Sequence, residues 1–219
     1  MKLPFQNCSL KEYPAGSITQ FFGENPSLYA RMNMKGHNGV DLVAEHGTPM
    51  VAVEAGKILE VKNSPEGYGK HLRFISAKSR NGLYREWTYG HCDTITVKVG
   101  DVVKEGDVIA TMGNTGFVVS GKTPFWVFNP YAGTHLHLGM RLVEKNTHGW
   151  AYPGSTVKIR VPNYENGYKG SVDPLPALGV TTTPVLNVHP MVFVFISTNS
   201  YISILVSKVS SNNQTILQG

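Results

Sequence analysis

The feature that most constrains the fold is a succession of short apolar segments, each ended by glycine, asparagine or proline. Segments 48–53, 57–62, 69–76 and 83–89 follow one another, and 97–110 adds two short strands separated by turn residues. No segment has a convincing helical period over a useful length. The 23 glycines and 13 prolines among 219 residues favour many tight turns. The sequence therefore predicts an all-β fold, a small antiparallel sandwich or barrel.

The stretch from Gly133 to Arg141 predicts a strand with chemistry on one face. Alternation places His135 and His137 on the same face, whereas Leu136 and Leu138 point into a core. Two imidazoles are therefore expected to share a cavity.

A long loop is predicted before this strand, over residues 117–132. It is rich in aromatic residues, namely Phe125, Trp126, Phe128 and Tyr131. A loop of this length inside a compact β domain either walls a groove or covers exposed core, and the sequence leaves both open.

The charge pattern gives little support to nucleic-acid binding. The net charge is +5, but lysine and arginine are scattered and form no stripe. An anionic bacterial wall suits the same charge. The only cysteines, Cys8 and Cys92, exclude a disulfide framework, and two free thiols are expected.

No exported or membrane-inserted segment is predicted. The first residues lack the apolar core of a signal peptide, and the apolar run 191–206 is interrupted by the polar residues 197–200. We expect one domain over residues 1–176. Residues 177–219 are expected to form a linker and a C-terminal tail or hairpin of unknown role. The oligomeric state is not predicted.

Five side chains form a candidate constellation: His37, Asp41, His91, His135 and His137. Imidazoles with one carboxylate suit zinc, and three protein ligands leave a position for water. The remaining two histidines would handle protons and stabilise the anion formed when a peptide carbonyl is attacked. This set predicts hydrolytic chemistry.

These motifs resemble those of the lysostaphin-type (LytM-like) zinc endopeptidases of peptidoglycan. His37 to Asp41 matches the family's His-x-x-x-Asp motif, His135 to His137 its His-x-His motif, and His91, in Tyr89-Gly90-His91, its isolated histidine. Segments 97–106 and 113–116 are also similar, so the resemblance covers about residues 17–176.

The resemblance implies a division of roles among the five residues. His37, Asp41 and His137 would bind Zn²⁺, His135 would act as general base, and His91 would stabilise the oxyanion or protonate the leaving amine. The sequence does not settle which histidine does which. Tyr29, upstream of the first motif, is the nearest match to a tyrosine that supports the oxyanion in the family.

The implied function is a zinc-dependent endopeptidase acting on bacterial peptidoglycan. The implied fold is a duplicated hybrid β motif with a groove across one sheet. Together with the missing signal peptide, the resemblance suggests a phage lysin released through a holin or carried on the virion. The sequence does not say whether the bond lies in a glycine bridge or in a stem peptide.

Residues 100–107, Gly-Asp-Val-Val-Lys-Glu-Gly-Asp, support a second hypothesis, a binding or carrier module. This segment also resembles biotinyl, lipoyl and phosphocarrier modules. No exposed hairpin lysine of the carrier pattern is visible. A non-catalytic cell-wall-binding relative is a third hypothesis, although such relatives usually lose ligands that this chain keeps.

Overall fold

The chain divides into two compact units, residues 1–181 and 182–219. The computed structural model describes residues 1–10, 16–120, 123–124, 129–180, 193–198 and 201–206, with the backbone alone at 119–120, 123–124 and the last two ranges. Of the aromatic loop residues singled out above, Phe125, Trp126 and Phe128 lie outside this part.

Strands dominate the described residues, as predicted. A short helix, α1, spans Pro26–Ala30, and a 3₁₀ helix spans Pro176–Leu178. In chain order the strands are β1 Ile18–Gln20, β2 Val40–Leu42, β3 Pro49–Val51, β4 Gly56–Lys62, β5 His71–Ser76, β6 Tyr84–Gly90, β7 Cys92–Ile95, β8 Val102–Val103, β9 Val108–Met112, β10 Val119–Ser120, β11 Thr123–Pro124, β12 Leu136–Trp150, β13 Ile159–Arg160, β14 Ser171–Val172, β15 Phe193–Thr198 and β16 Tyr201–Val206.

The described residues of the first unit form two main antiparallel sheets and a two-stranded pair, β10-β11. The larger sheet has the order β1-β2-β12-β6-β5-β4-β8, with β13 and β14 also paired to β12, and the smaller has the order β3-β9-β7. The larger sheet is open, with β1 and β8 at its ends, so the all-β prediction is confirmed as a sandwich and not as a closed barrel.

The main core lies between the two sheets. Alternation along β12 sends Leu136, Leu138 and Met140 into it, as the sequence predicts. Trp87 and Tyr89 of β6 reach it from the larger sheet, and residues of β3 and β9 complete it from the smaller one. Cys92 is fully buried in this core, as expected for a small apolar residue.

The outer face of the larger sheet is half covered. Beyond the first half of β12, in the direction of its C-terminus, Val143 joins a second apolar cluster in which Tyr152 and Ile159 cover Ile75. Near the N-terminal end of β12, the same face carries His137 and forms an open cleft.

The first unit continues a few residues beyond 176. Ala177, Leu178 and Val180 pack against the main core. The functional assignment of a domain over 1–176 and a tail over 177–219 stays a prediction.

The second unit is described only in β15 and β16, which pair antiparallel from Phe193↔Val206 to Thr198↔Tyr201. They lie where the sequence predicts a hairpin. No helix in the described residues is both long and apolar enough to span a bilayer.

Candidate metal centre

All five candidate residues line one cavity of about 730 Å³ on the outer face of the larger sheet. Asp41 in β2 and His137 in β12 are paired directly across the sheet, and His137 is paired with Gly90 of β6 on its other side. His91 follows β6, and His135 precedes β12 in a bridge to Gly113. Sheet pairing therefore gathers residues that are far apart in sequence.

Three donor atoms converge at the centre of this cavity. His37 Nε2 lies 2.9 Å from His137 Nδ1 and 3.1 Å from Asp41 Oδ1. His137 Nδ1 lies 3.2 Å from the same carboxylate oxygen. In a tetrahedral zinc site with bonds near 2.0–2.1 Å, neighbouring donors are roughly 3.3 Å apart. The triangle therefore has the size of one face of such a site, and its donor chemistry fits zinc.

The surroundings of His37 and His137 also fit a metal. His37 Nδ1 lies 3.2 Å from the carbonyl of Phe21, to which it can donate, and this bond leaves the Nε2 lone pair facing the triangle. His137 is 3% exposed, and its Nε2 has no hydrogen-bond partner among the described residues. An alanine Cβ at Gly39 would lie 2.7 Å from His137 Cε1, so only glycine leaves room for this ring.

His91 and His135 stand beside the triangle, and in each ring Nδ1 faces a backbone carbonyl. His91 Nδ1 lies 2.8 Å from the Thr115 carbonyl, and His135 Nδ1 lies 2.7 Å from the Gly133 carbonyl. Each bond leaves Nε2 as a proton acceptor in the neutral ring. The ring centroids are 4.5 Å apart, and His135 Nε2 lies 3.8 Å from Asp41 Oδ2.

The backbone of His91 is in the left-handed region, with φ at 61°. A residue other than glycine is uncommon there, although asparagine, aspartate and histidine are the more frequent exceptions, and the conformation is strained. Two neighbours hold it, because its backbone N–H donates to Tyr68 and its ring to Thr115. The loops that carry these neighbours approach closely enough that a Cβ at Gly116 would lie 2.3 Å from the nitrogen of Gly69.

Burial sets the protonation states of the site. It lowers the pKa of His91 to about 3, with His135 and His137 adding to the effect, and it lowers the pKa of His137 to about 4. Burial would raise the pKa of Asp41, but the charges of His135 and His37 outweigh it and hold that pKa well below its usual range. Near neutral pH His91 and His137 are therefore neutral and Asp41 is a carboxylate, and the last two are in the forms that bind a metal.

Tyr29 lines the same cavity, and its ring centroid lies 5.4 Å from that of His37. Its hydroxyl donates to Gln20 Oε1 over 3.3 Å. Burial raises the pKa of Tyr29 far above its usual value, so the hydroxyl keeps its proton. A protonated hydroxyl here is a hydrogen-bond donor near the metal-binding triangle.

Tyr68 is a site residue that sequence reasoning missed. Its ring lies 4.8 Å from that of His137, and its hydroxyl accepts a hydrogen bond of 2.6 Å from Asn38 Nδ2. The only local signal is an aromatic residue between Gly67 and Gly69 just before β5. Gln20 was also missed, because a glutamine on a three-residue edge strand has no distinguishing pattern.

The other histidines are outside the triangle. His71 is buried and its Nε2 lies 3.4 Å from Glu60, His46 is partly buried against Tyr131, and His148 is exposed. The centre of the His46 ring lies 4.7 Å from that of Tyr131. His189 lies outside the described residues.

Comparison with known proteins gives a family match and several relatives. The family model described as peptidase family M23 matches residues 35–151. Lysostaphin of Staphylococcus simulans is 33% identical over 150 residues, which cover 67% of this chain and 26% of that protein. The glycyl-glycine endopeptidase ALE-1 of Staphylococcus capitis is 37% identical over 86 residues, covering 39% of this chain and 23% of that protein.

The chain thus spans about a quarter of the length of these curated relatives. Among solved structures, the catalytic domain of lysostaphin from Staphylococcus simulans is similar with a TM-score of 0.45 and 26% identity. That match covers 67% of this chain and 81% of the other.

Proposed function

The chain belongs to peptidase family M23, and from this premise we propose that it is a zinc-dependent endopeptidase that hydrolyses peptide bonds in bacterial peptidoglycan. The observation that carries the proposal is the triangle of His37 Nε2, Asp41 Oδ1 and His137 Nδ1, with edges of 2.9, 3.1 and 3.2 Å. The relatives named lysostaphin and glycyl-glycine endopeptidase support a wall peptide as the substrate.

In this proposal His37, Asp41 and His137 hold the zinc ion. Bound zinc would supply a Lewis acid for the scissile carbonyl and would make water a stronger acid, which peptide hydrolysis near neutral pH requires. Asp41 also faces His135 through its second oxygen, Oδ2, which lies 3.8 Å from His135 Nε2.

His135 is the proposed general base. Its Nδ1 is engaged by the Gly133 carbonyl, so Nε2 is the atom that accepts a proton from the attacking water. An amide nitrogen leaves poorly unless it is protonated, and the same Nε2 can return that proton to it.

His91 is proposed to act beside His135 on the oxyanion or on the leaving amine. With ring centroids 4.5 Å apart, positive charges on both rings would repel strongly. Tyr29 is proposed as a neutral donor to the developing oxyanion, because its hydroxyl lines the same cavity and could exchange its 3.3 Å bond to Gln20 for one to the oxyanion. The phage origin expected from the sequence stays a prediction.

The test combines metal analysis with peptide hydrolysis. Purified protein is expected to contain zinc in equal amount to the chain and to release muropeptides from walls, and a chelator should stop the release. His37→Ala and His137→Ala should lose the metal, whereas His135→Ala should keep it and lose turnover. Loss of zinc from His135→Ala would show that the ligand assignment is wrong.

Mass spectrometry of the released muropeptides gives the bond that is cut. Full zinc content with intact walls from several chemotypes would contradict the proposed hydrolysis and would favour a non-catalytic wall-binding module.

A further inference from the structure

On the outer face of the larger sheet, the cleft continues beyond the candidate metal centre to two arginines, Arg73 and Arg141. Next to His137, the outer face presents Gly139 and, directly across from it, Thr88. Thr88 is in turn paired with Arg73 of β5. Gly139 contributes no side chain, so the cleft stays open between the metal centre and Arg73.

The Arg73 guanidinium is fixed from three sides. Its Nε donates to Glu60 over 2.9 Å, and its Nη1 donates to Thr88 Oγ1 over 2.9 Å. Its Cζ lies 5.5 Å from the centre of the Tyr68 ring, and this ring also stacks on His137. Among the described residues, Nη2 has no hydrogen-bond partner.

Arg141 of β12 is fixed in a similar way. Its Nε donates to Glu86 over 2.6 Å, and its Nη2 donates to the Tyr152 hydroxyl. Tyr152 also contacts Arg73, whose Cζ lies 5.6 Å from the ring centre, so the two guanidinium groups are neighbours. Arg141 Nη1 has no partner in the part of the chain that the structure describes.

The charge that faces the cleft is positive at this end. Arg73, Arg141 and the exposed Lys169 line it, whereas the described residues supply Asp41 as its one carboxylate. Glu60 and Glu86 do not line the cleft; each is the cross-strand neighbour of its arginine on the same face of the sheet and accepts from its Nε. A guanidinium that a neighbouring carboxylate holds in place, and that keeps one terminal nitrogen without a described partner, is well suited to bind a second carboxylate.

We propose that Arg73 and Arg141, assisted by Lys169, form a subsite for a free carboxylate on the peptide that the metal centre cleaves. This inference rests on the proposed peptidase function and names its substrate class. Arg73 lies two residues along the strands and two strands across from His137, roughly 12 Å between backbone positions, which an extended peptide spans in about four residues. The substrate is therefore a stem peptide with a carboxylate a few residues from the scissile bond, and not an uncharged glycine bridge.

The test uses three defined peptides with the zinc-loaded full chain. They are a cross-linked stem-peptide dimer with free carboxylates, the same dimer with those carboxylates amidated, and pentaglycine. We expect kcat/KM for the free acid to exceed that for the amide by about tenfold or more, the size of a charge-assisted hydrogen bond. Pentaglycine should be the poorest of the three substrates.

Variants assign this preference to the subsite. Arg73→Gln with Glu60→Gln removes the pair without leaving a buried charge, and the preference for the acid should largely disappear. Lys169→Gln, at an exposed position, should reduce it by a smaller factor and serves if the double variant does not fold. Arg160→Gln with Glu144→Gln breaks a similar pair, 2.7 Å apart, outside the cleft and should preserve the preference.

Binding separates the failure of this inference from that of the proposed function. Calorimetry with His135→Ala is expected to show tighter binding of the acid than of the amide. Equal kcat/KM values for acid and amide, or preferred cleavage of pentaglycine, would overturn the subsite and leave the peptidase function standing. Carboxylate-dependent binding without hydrolysis by the zinc-loaded wild type would support the subsite and overturn the peptidase function.

Discussion

At the residue scale, the backbone of His91 shows how the site is held. Its φ of 61° is a conformation that asparagine adopts at lower cost than most residues. We expect His91→Asn to keep zinc and to lower kcat by about 10²–10⁴-fold, because the imidazole is lost. His91→Ala should lose the same activity and be less stable than His91→Asn by about 1 kcal/mol. Zinc analysis, peptide turnover and urea unfolding check this; equal activity in the wild type and His91→Asn would contradict it.

Gly39 makes a second prediction at this scale. An alanine there would place its Cβ 2.7 Å from both His137 Cε1 and the Leu138 carbonyl oxygen, so the metal-binding ring must move. We expect Gly39→Ala to weaken zinc affinity by about tenfold or more, comparable to the loss of a supporting group around a metal ligand. Competition with a chromophoric chelator measures this. The control is Gly100→Ala, where nothing lies within 4 Å of the added Cβ and where only the left-handed φ of 95° is strained.

Sequence patterns could predict His37, Asp41, His91, His135 and His137, because each lies in a short motif whose spacing matches metal and acid–base chemistry. The structure brings all five to one cavity. Tyr68 and Gln20 could not be predicted, because their role depends on loops that meet through tertiary contacts. A role for Arg73 and Arg141 could not be predicted either, because an arginine in a strand is usually solvated. Their distance from the candidate metal centre is set by the register of the strands, which the sequence pattern does not give.

At the element scale, the sequence could predict most strands but not their partners. The bounds of β4, β5 and β6 lie within two residues of the predicted segments. The pairing of β12 joins residues about 95 positions apart with β2 and about 50 positions apart with β6. Local periodicity carries no information on such pairing, and this pairing creates the site.

Tyr89 of β6 connects the two sheets through the hydrogen bonds of its hydroxyl, and this connection can be tested. Its buried hydroxyl donates to the Val51 carbonyl over 2.9 Å and accepts from the Val53 N–H at 3.2 Å, next to β3. Tyr89→Phe leaves the buried Val53 N–H without this acceptor and the Val51 carbonyl without this donor, so we expect the free energy of unfolding to fall by about 1–3 kcal/mol. Tyr84→Phe is the control, because the Tyr84 hydroxyl has no described hydrogen bond. Unfolding in urea measures the difference, and equal stabilities for the two variants would contradict it.

At the scale of the whole molecule, the candidate machinery belongs to one unit. Residues 1–181 contain the candidate metal-binding triangle, the His91–His135 pair, Arg73 and Arg141, and both apolar clusters. The first unit therefore contains a complete core and every side chain that the proposed hydrolysis uses. Residues 182–219 are proposed to serve a separate purpose.

A chain ended after Thr181 tests this division. We expect it to unfold cooperatively with a midpoint close to that of the full chain, because the core residues of the first unit are all retained. Its zinc content and its kcat/KM on a soluble stem-peptide dimer should also equal those of the full chain. Calorimetry, metal analysis and peptide turnover measure the three quantities, with a chain ended after Gly170 as the control, since that change removes β14 and Leu175 from the fold.

Loss of zinc or of cooperative unfolding in the chain ended after Thr181 would show that residues 182–219 complete the catalytic unit. An unchanged rate on the soluble dimer with a reduced rate on intact walls would instead assign those residues a role in reaching the wall.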